Sequence, residues 1–190
     1  MDSSVSTRSE QARAVEKRQA ILNSAIELLL SEGLKGVTHR HVAAAAGVPV
    51  GSIGYYYSTR EKLVSTCFEH LTETRRRAYE HEVSGAVDLT DPVQFAESVV
   101  EVVSCGRPER ARELMSAFID AQREGGEVEA LVEGTLSELR DMVTDMLRKA
   151  KVERVSAARV LQIVIGTAVT EKHPTAPVAA VTDLLRLAEV

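Results

Sequence analysis

Residues 37–63, VTHRHVAAAAGVPVGSIGYYYSTREKL, constrain the fold more than any other stretch of the chain. Thr38 is placed as an N-cap, and Val42, Ala43 and Ala46 follow on one face at helical spacing. Gly47 supplies a turn, because glycine takes positive φ without a Cβ clash. Pro49 stands where a new helix begins, with its missing N–H harmless and its φ preset. That second helix is short and ends in Tyr55, Tyr56 and Tyr57. Ser58, with Glu61 three residues on, has the spacing of a capping box for a further helix. A helix, a glycine turn and a short second helix with exposed hydroxyls and aromatics is the arrangement that lays its second helix in a DNA major groove.

The rest of the chain reads as helical. Residues 1–12 are polar and expected to fray. From Arg13 to Glu32, Ile21, Leu22, Ala25, Ile26, Leu29 and Leu30 form an apolar stripe that Gly33 closes. Three helices thus make a DNA-reading head over residues 1–58. Residues 59–190 carry about six more, the first over 59–82 and the next opened by Asp91, Pro92 and Gln94. Later ones span about 108–122, with Ile119 inward, then 128–150, 156–170 and 178–187. No strand pattern or fixed repeat is present, so the expected class is all-α, a small head on a larger helical body.

A chain of 190 residues can bury a substantial core. It has no apolar run of about 18 residues, so no transmembrane helix is expected, and its start lacks the apolar region of a signal peptide. Cys67 and Cys105 are too few for a disulfide framework and read as buried free thiols on helical faces, as in a reducing cytoplasm. The net charge of −5 divides unevenly. Residues 1–60 hold seven Lys and Arg against five Asp and Glu, and the remainder holds sixteen against twenty-three. The cationic end coincides with the helix pair that would face phosphate.

Enzyme chemistry finds no foothold. His39 and His41 lie two apart on a helix and cannot chelate together. There is no His-Glu-x-x-His, no Cys-x-x-Cys and no phosphate loop after a strand, so neither metal nor cofactor is expected. The run Arg75-Arg76-Arg77 reads as a solvated helix face pairing with Glu73 and Glu80. The last two helices, with Val160, Ile163, Val164, Val181 and Leu184, are more apolar than a solvent-facing end requires, and a homodimer interface would cover them.

Thr38, Val42-Ala43, Ala46-Gly47-Val48, Gly51-Ser52-Ile53, the three tyrosines and Arg60-Glu61-Lys62-Leu63 resemble, at matching offsets, the TetR (tetracycline-repressor-like) family of transcriptional regulators. The resemblance covers about residues 15–71, and two positions depart from it: Val50 stands where a basic residue is frequent and Gly54 where a tyrosine is usual. It implies that Thr38 gives its hydroxyl or N–H to phosphate, that Arg40 reaches phosphate or a guanine edge, and that Tyr57 packs in the head's core. On the recognition helix, Val50 suits a thymine methyl, Gly51 permits close approach, and Ser52 can bond a base or phosphate. Tyr55 and Tyr56 would donate to phosphates, and Arg60 and Lys62 are either capping-region charges or phosphate clamps. Apolar residues of the body, Cys67, Phe68, Leu71, Phe95, Met115, Phe118, Met142 and Met146, are spaced as core. The resemblance implies that a pocket for a small apolar effector is lined from among them. The function implied is ligand-released repression at a palindromic operator on double-stranded DNA. A small-molecule or lipid binding module with a packed three-helix cap is the alternative.

Overall fold

The computed structural model describes residues 3–188, which hold nine α-helices, one short 3-10 turn and no strand. The chain forms two compact units, residues 1–67 and 68–190, each with its own core.

The first unit contains α1 (Ser3–Glu32), α2 (His39–Ala45), α3 (Val50–Tyr56) and the first turns of α4 (Arg60–Glu82). Helix α1 begins well before Arg13, where fraying was expected. No glycine or proline precedes Gly33 to stop it, and Ala12 and Ala14 are strong helix formers. Its stripe of Ile21, Ala25, Ile26 and Leu29 packs with Val37, Val42, Ile53, Tyr57, Leu63 and Val64, all at most 3 % exposed. Tyr57 is the head's aromatic plug, and burial raises its hydroxyl pKa against the opposing pull of Arg18.

The turn between α2 and α3 forms as its residues require. Gly47 has φ +65°, the Val48 N–H donates to Ala43 O at 3.0 Å, and the Gly47 N–H donates to Ala44 O at 3.3 Å. That pair of bonds closes the last turn of α2 around a left-handed residue, which favours glycine. Two positions shift by one residue from the sequence reading. Pro49 is the N-cap of α3 rather than its first residue. Thr59, not Ser58, caps α4, its Oγ1 accepting from the Lys62 N–H at 3.0 Å.

The second unit adds to the rest of α4 the helices α5 (Pro92–Val103), α6 (Ala111–Ala121), α7 (Gly126–Lys149), α8 (Ala157–Thr170) and α9 (Ala176–Ala188). Asp91 caps α5 by accepting from the Val93 and Gln94 N–H groups, with Pro92 in the first turn. Three pairs join α4 to α7: Thr72 with Thr135 at 3.1 Å, Arg76 with Glu138 at 2.5 Å, and Tyr79 with Asp145 at 2.6 Å. Their numbers rise together, so the two helices run in the same direction. Helix α9 lies on α5 and α8, and α8 on α6 and α7. The apolar character of α8 and α9 is thus largely absorbed within the chain.

Some side chains lie elsewhere than expected. Ile119 on α6 is 37 % exposed rather than inward, and the inner face of α7 is taken by Val128, Val132 and Thr135. Cys105 sits beyond α5, not on a helix, in a left-handed conformation (φ 55°), while the Gly106 N–H closes on Glu101 O at 2.9 Å.

Candidate functional site

Helix α3 has an inner and an outer side. Ile53 is completely buried, whereas Val50 is 50 % and Tyr55 84 % exposed. Gly51 and Gly54 share the outer side, and a Cβ built on either meets nothing within 4 Å. Val50, Gly51, Gly54 and Tyr55, at i, i+1, i+4 and i+5, are adjacent on the helix surface. They form a low, side-chain-poor face bounded by one tyrosine. Ser52 and Tyr56 are half-buried at its margins, and the Tyr55 and Tyr56 rings meet edge-to-face at 5.1 Å.

At the start of α2, Thr38 caps the helix, its Oγ1 accepting from the His41 N–H at 3.1 Å. The hydroxyl is therefore occupied as an acceptor and retains its proton for a phosphate oxygen. Arg40 is exposed in the first turn. Lys62 is exposed on α4. Arg60 behaves differently, since its Nε donates to Val37 O at 3.0 Å and its Nη2 to Leu34 O at 2.7 Å. Whatever else it meets, the Arg60 guanidinium ties α4 to the loop between α1 and α2.

The body holds a largely apolar cavity of 150 Å³, open towards solvent at Ile119 and Gln122, and lined by these two with Arg75, Met115, Phe118, Leu136, Leu139 and Ile165. Of the eight residues expected around an effector, Met115 and Phe118 line it. Cys67 is buried in the first unit, where burial pushes its thiol to about 12. Phe68, Leu71, Phe95, Met142 and Met146 are packed in the second unit's interior, with the Phe68 ring edge-to-face on Phe118 at 5.1 Å. Of the dimer residues, Val160, Val164 and Val181 are fully buried within the chain, and Ile163 and Leu184 remain half-exposed. Among the described residues no group of three or more His, Cys, Asp or Glu side chains is placed to hold a metal ion, and no helix is long and apolar enough to cross a membrane.

Residues 21–67 match the family model of the bacterial regulatory proteins of the tetR family. The head is a tetR-family head. No curated protein matches the chain by sequence. Solved structures agree with the whole fold. A TetR transcription regulator from Haloarcula marismortui is 16 % identical with a TM-score of 0.68, covering 92 % of this chain and 96 % of its own. A transcriptional regulator from a Rhodococcus species is 18 % identical with a TM-score of 0.70, over 90 % and 94 %. The multidrug binding protein EbrR, solved with imidazole, is 20 % identical with a TM-score of 0.62, over 90 % and 94 %. At these identities the likeness is one of fold.

In the body, one unusual residue is not at once evident from the sequence pattern. Arg76 and Arg77 lie on the solvated face as expected, pairing with Glu73 and Glu138. Arg75 does not: it is 1 % exposed. The signal for its position is the stripe Val64, Phe68, Leu71 and Thr72, whose helical continuation falls on residue 75.

Proposed function

We propose that the protein is a cytoplasmic, homodimeric repressor that grips a partly palindromic operator with its two heads and leaves it when a small molecule occupies the body. The outer face of α3 carries this reading. Packing gives no reason for glycine at 51 or 54, each costing about 1 kcal/mol relative to alanine in a helix. Close approach of the α3 backbone to a groove does give one. Val50 then meets a thymine methyl and Ser52 a base edge or phosphate, while Thr38, Arg40, Tyr55, Tyr56 and Lys62 hold phosphates. No Lys, Arg, Asn or Gln lies between Pro49 and Tyr57, so direct readout is thin and specificity leans on half-site spacing and DNA shape.

The body's cavity and the fold shared with EbrR support a small-molecule effector. Such a ligand releases DNA only by binding the DNA-incompetent arrangement better. Half-exposed Ile163 and Leu184, with Leu187 at 77 % exposure, offer the partner surface on α8 and α9.

The test is fluorescence anisotropy on duplexes flanking the protein's own gene, beside random duplex, at about 50 and 200 mM salt. The expected result is a footprint of two half-sites one helical turn or more apart, with affinity falling steeply with salt. Failure to shift any duplex at the lower salt would favour the alternative, a binding module whose three-helix head is only a cap.

A further inference from the structure

A cation in an apolar interior needs something to answer its charge. Arg75 is 1 % exposed, and its Nε and Nη1 are buried without a hydrogen-bond partner. No carboxylate among the described residues pairs with it; the acids nearby in sequence and space serve Arg76 and Arg77. What faces it is the Phe118 ring, 5.1 Å from the guanidinium carbon to the ring centroid. That cation–π contact offsets only part of the desolvation of a buried charge. The Cys105 thiol beside it supplies no negative charge, because burial raises the thiol pKa despite the guanidinium's opposing pull.

Arg75 is also the one charged residue lining the 150 Å³ cavity. Met115, Phe118, Leu136, Leu139 and Ile165 make the walls apolar, and exposed Gln122 lies on the solvent side. We propose that this cavity binds a small carboxylate with an apolar, benzene-sized body, its carboxylate on the Arg75 guanidinium and its hydrocarbon against those five side chains. A carboxylate in the cavity neutralises the guanidinium, and a turn of the Arg75 side chain that brings its closed-off Nε or Nη1 to the carboxylate adds charge-assisted hydrogen bonds. A cavity of this volume lined by Leu, Ile and Phe takes up benzene, which sets the size of the body. A cationic ligand would add like charge beside Arg75, and a neutral one would leave the guanidinium unanswered. Inorganic anions would gain nothing from the apolar walls. Only the regulatory consequence rests on the effector reading above; the binding itself needs no DNA.

Benzoate is the probe, tested on the full chain by thermal shift and equilibrium dialysis against benzamide, benzylamine and phosphate. Benzoate should raise Tm in proportion to its occupancy while the three controls do not. Arg75→Met should bind benzoate at least about tenfold more weakly, and should itself be no less stable than the parent, since it removes an unpaired buried charge. Leu139→Phe keeps Arg75 but fills the cavity, and should lose benzoate as well, which serves if Arg75→Met fails to fold. The proposal is overturned if neither benzoate nor hexanoate binds at millimolar concentration. Equal binding of benzamide or phosphate, or benzoate affinity unchanged in Leu139→Phe, would overturn it too. Operator anisotropy is read separately: benzoate binding without operator release upholds the carboxylate site and sinks the effector reading.

Discussion

The Arg60 guanidinium donates from Nε to the carbonyl oxygen of Val37 at 3.0 Å, and from Nη2 to that of Leu34 at 2.7 Å. The loop it holds leads directly into Thr38, the cap of α2. A charge at the edge of the proposed DNA face thus maintains the head's geometry. Arg60→Ala should destabilise the head by about 1–3 kcal/mol, because carbonyls are left without their charged donor. Lysine cannot reproduce a two-pronged guanidinium contact. Hydrogen exchange should show faster opening of α2 in both Arg60→Ala and Arg60→Lys, and unchanged protection in both would remove this structural role.

Arg40 provides the contrast. It is exposed in the first turn of α2, so Arg40→Ala should leave stability within about 0.5 kcal/mol of the parent. On the operator the same change should cost on the order of 1–3 kcal/mol and lessen the salt dependence. Anisotropy titrations at several salt concentrations read both quantities; an unchanged affinity would take Arg40 off the DNA face.

Gly51 separates stability from binding. A Cβ there meets no protein atom, and alanine is the better helix former by about 1 kcal/mol. Gly51→Ala should therefore raise head stability while weakening operator binding. Tighter or equal binding by the stabilised variant would mean that α3 does not approach DNA by this face.

The head was legible because its turn and cap are fixed locally, Thr38 by capping and Gly47 by positive φ, while the buried place of Tyr57 was implied by the family resemblance. At the caps the differences are of one residue, at Pro49 and Thr59, since neighbouring residues compete for one cap, whereas α1 starts about ten residues earlier than its apolar stripe indicates, because the polar residues before Arg13 include no helix breaker. The body was legible as helices but not as packing. Apolar cavity lining and apolar core follow the same periodicity, so Met115 and Met146 look alike in sequence although only Met115 lines the cavity. Arg75 was hidden by its two neighbours, because three consecutive arginines read as a charged surface even though consecutive helical residues point about 100° apart.

The Tyr79–Asp145 pair makes the body pH-sensitive at both extremes. The Tyr79 hydroxyl, with Arg148 and Lys149, holds Asp145 down to about 2. An unfolded aspartate titrates near 4, so its stabilisation is complete above about pH 4 and is lost as pH falls towards 2. Burial, then Asp145, raises Tyr79 to about 12. That share is complete below about pH 10 and lost as pH rises towards 12. Solvent reaches the pair, so each contribution should be at most about 1 kcal/mol. Tyr79→Phe should return Asp145 towards its ordinary value, seen by carboxyl NMR titration, and flatten the acid limb of the stability curve. A titration of Asp145 unmoved by Tyr79→Phe would reassign its depression to Arg148 and Lys149.

Dimer formation can be tested only at residues the chain leaves uncovered. Val164 is fully buried in the body, so Val164→Glu strands a charge in the core at several kcal/mol and should unfold the body itself. Ile163 and Leu184 are half-exposed, and a glutamate there can remain hydrated in a monomer but not in a packed interface. Ile163→Glu and Leu184→Glu should therefore keep parental helicity by circular dichroism while sedimenting at the mass of one chain. Operator affinity should collapse with the dimer, because two linked half-sites are lost together. Both variants sedimenting at twice the chain mass with operator binding intact would place the interface away from these two residues.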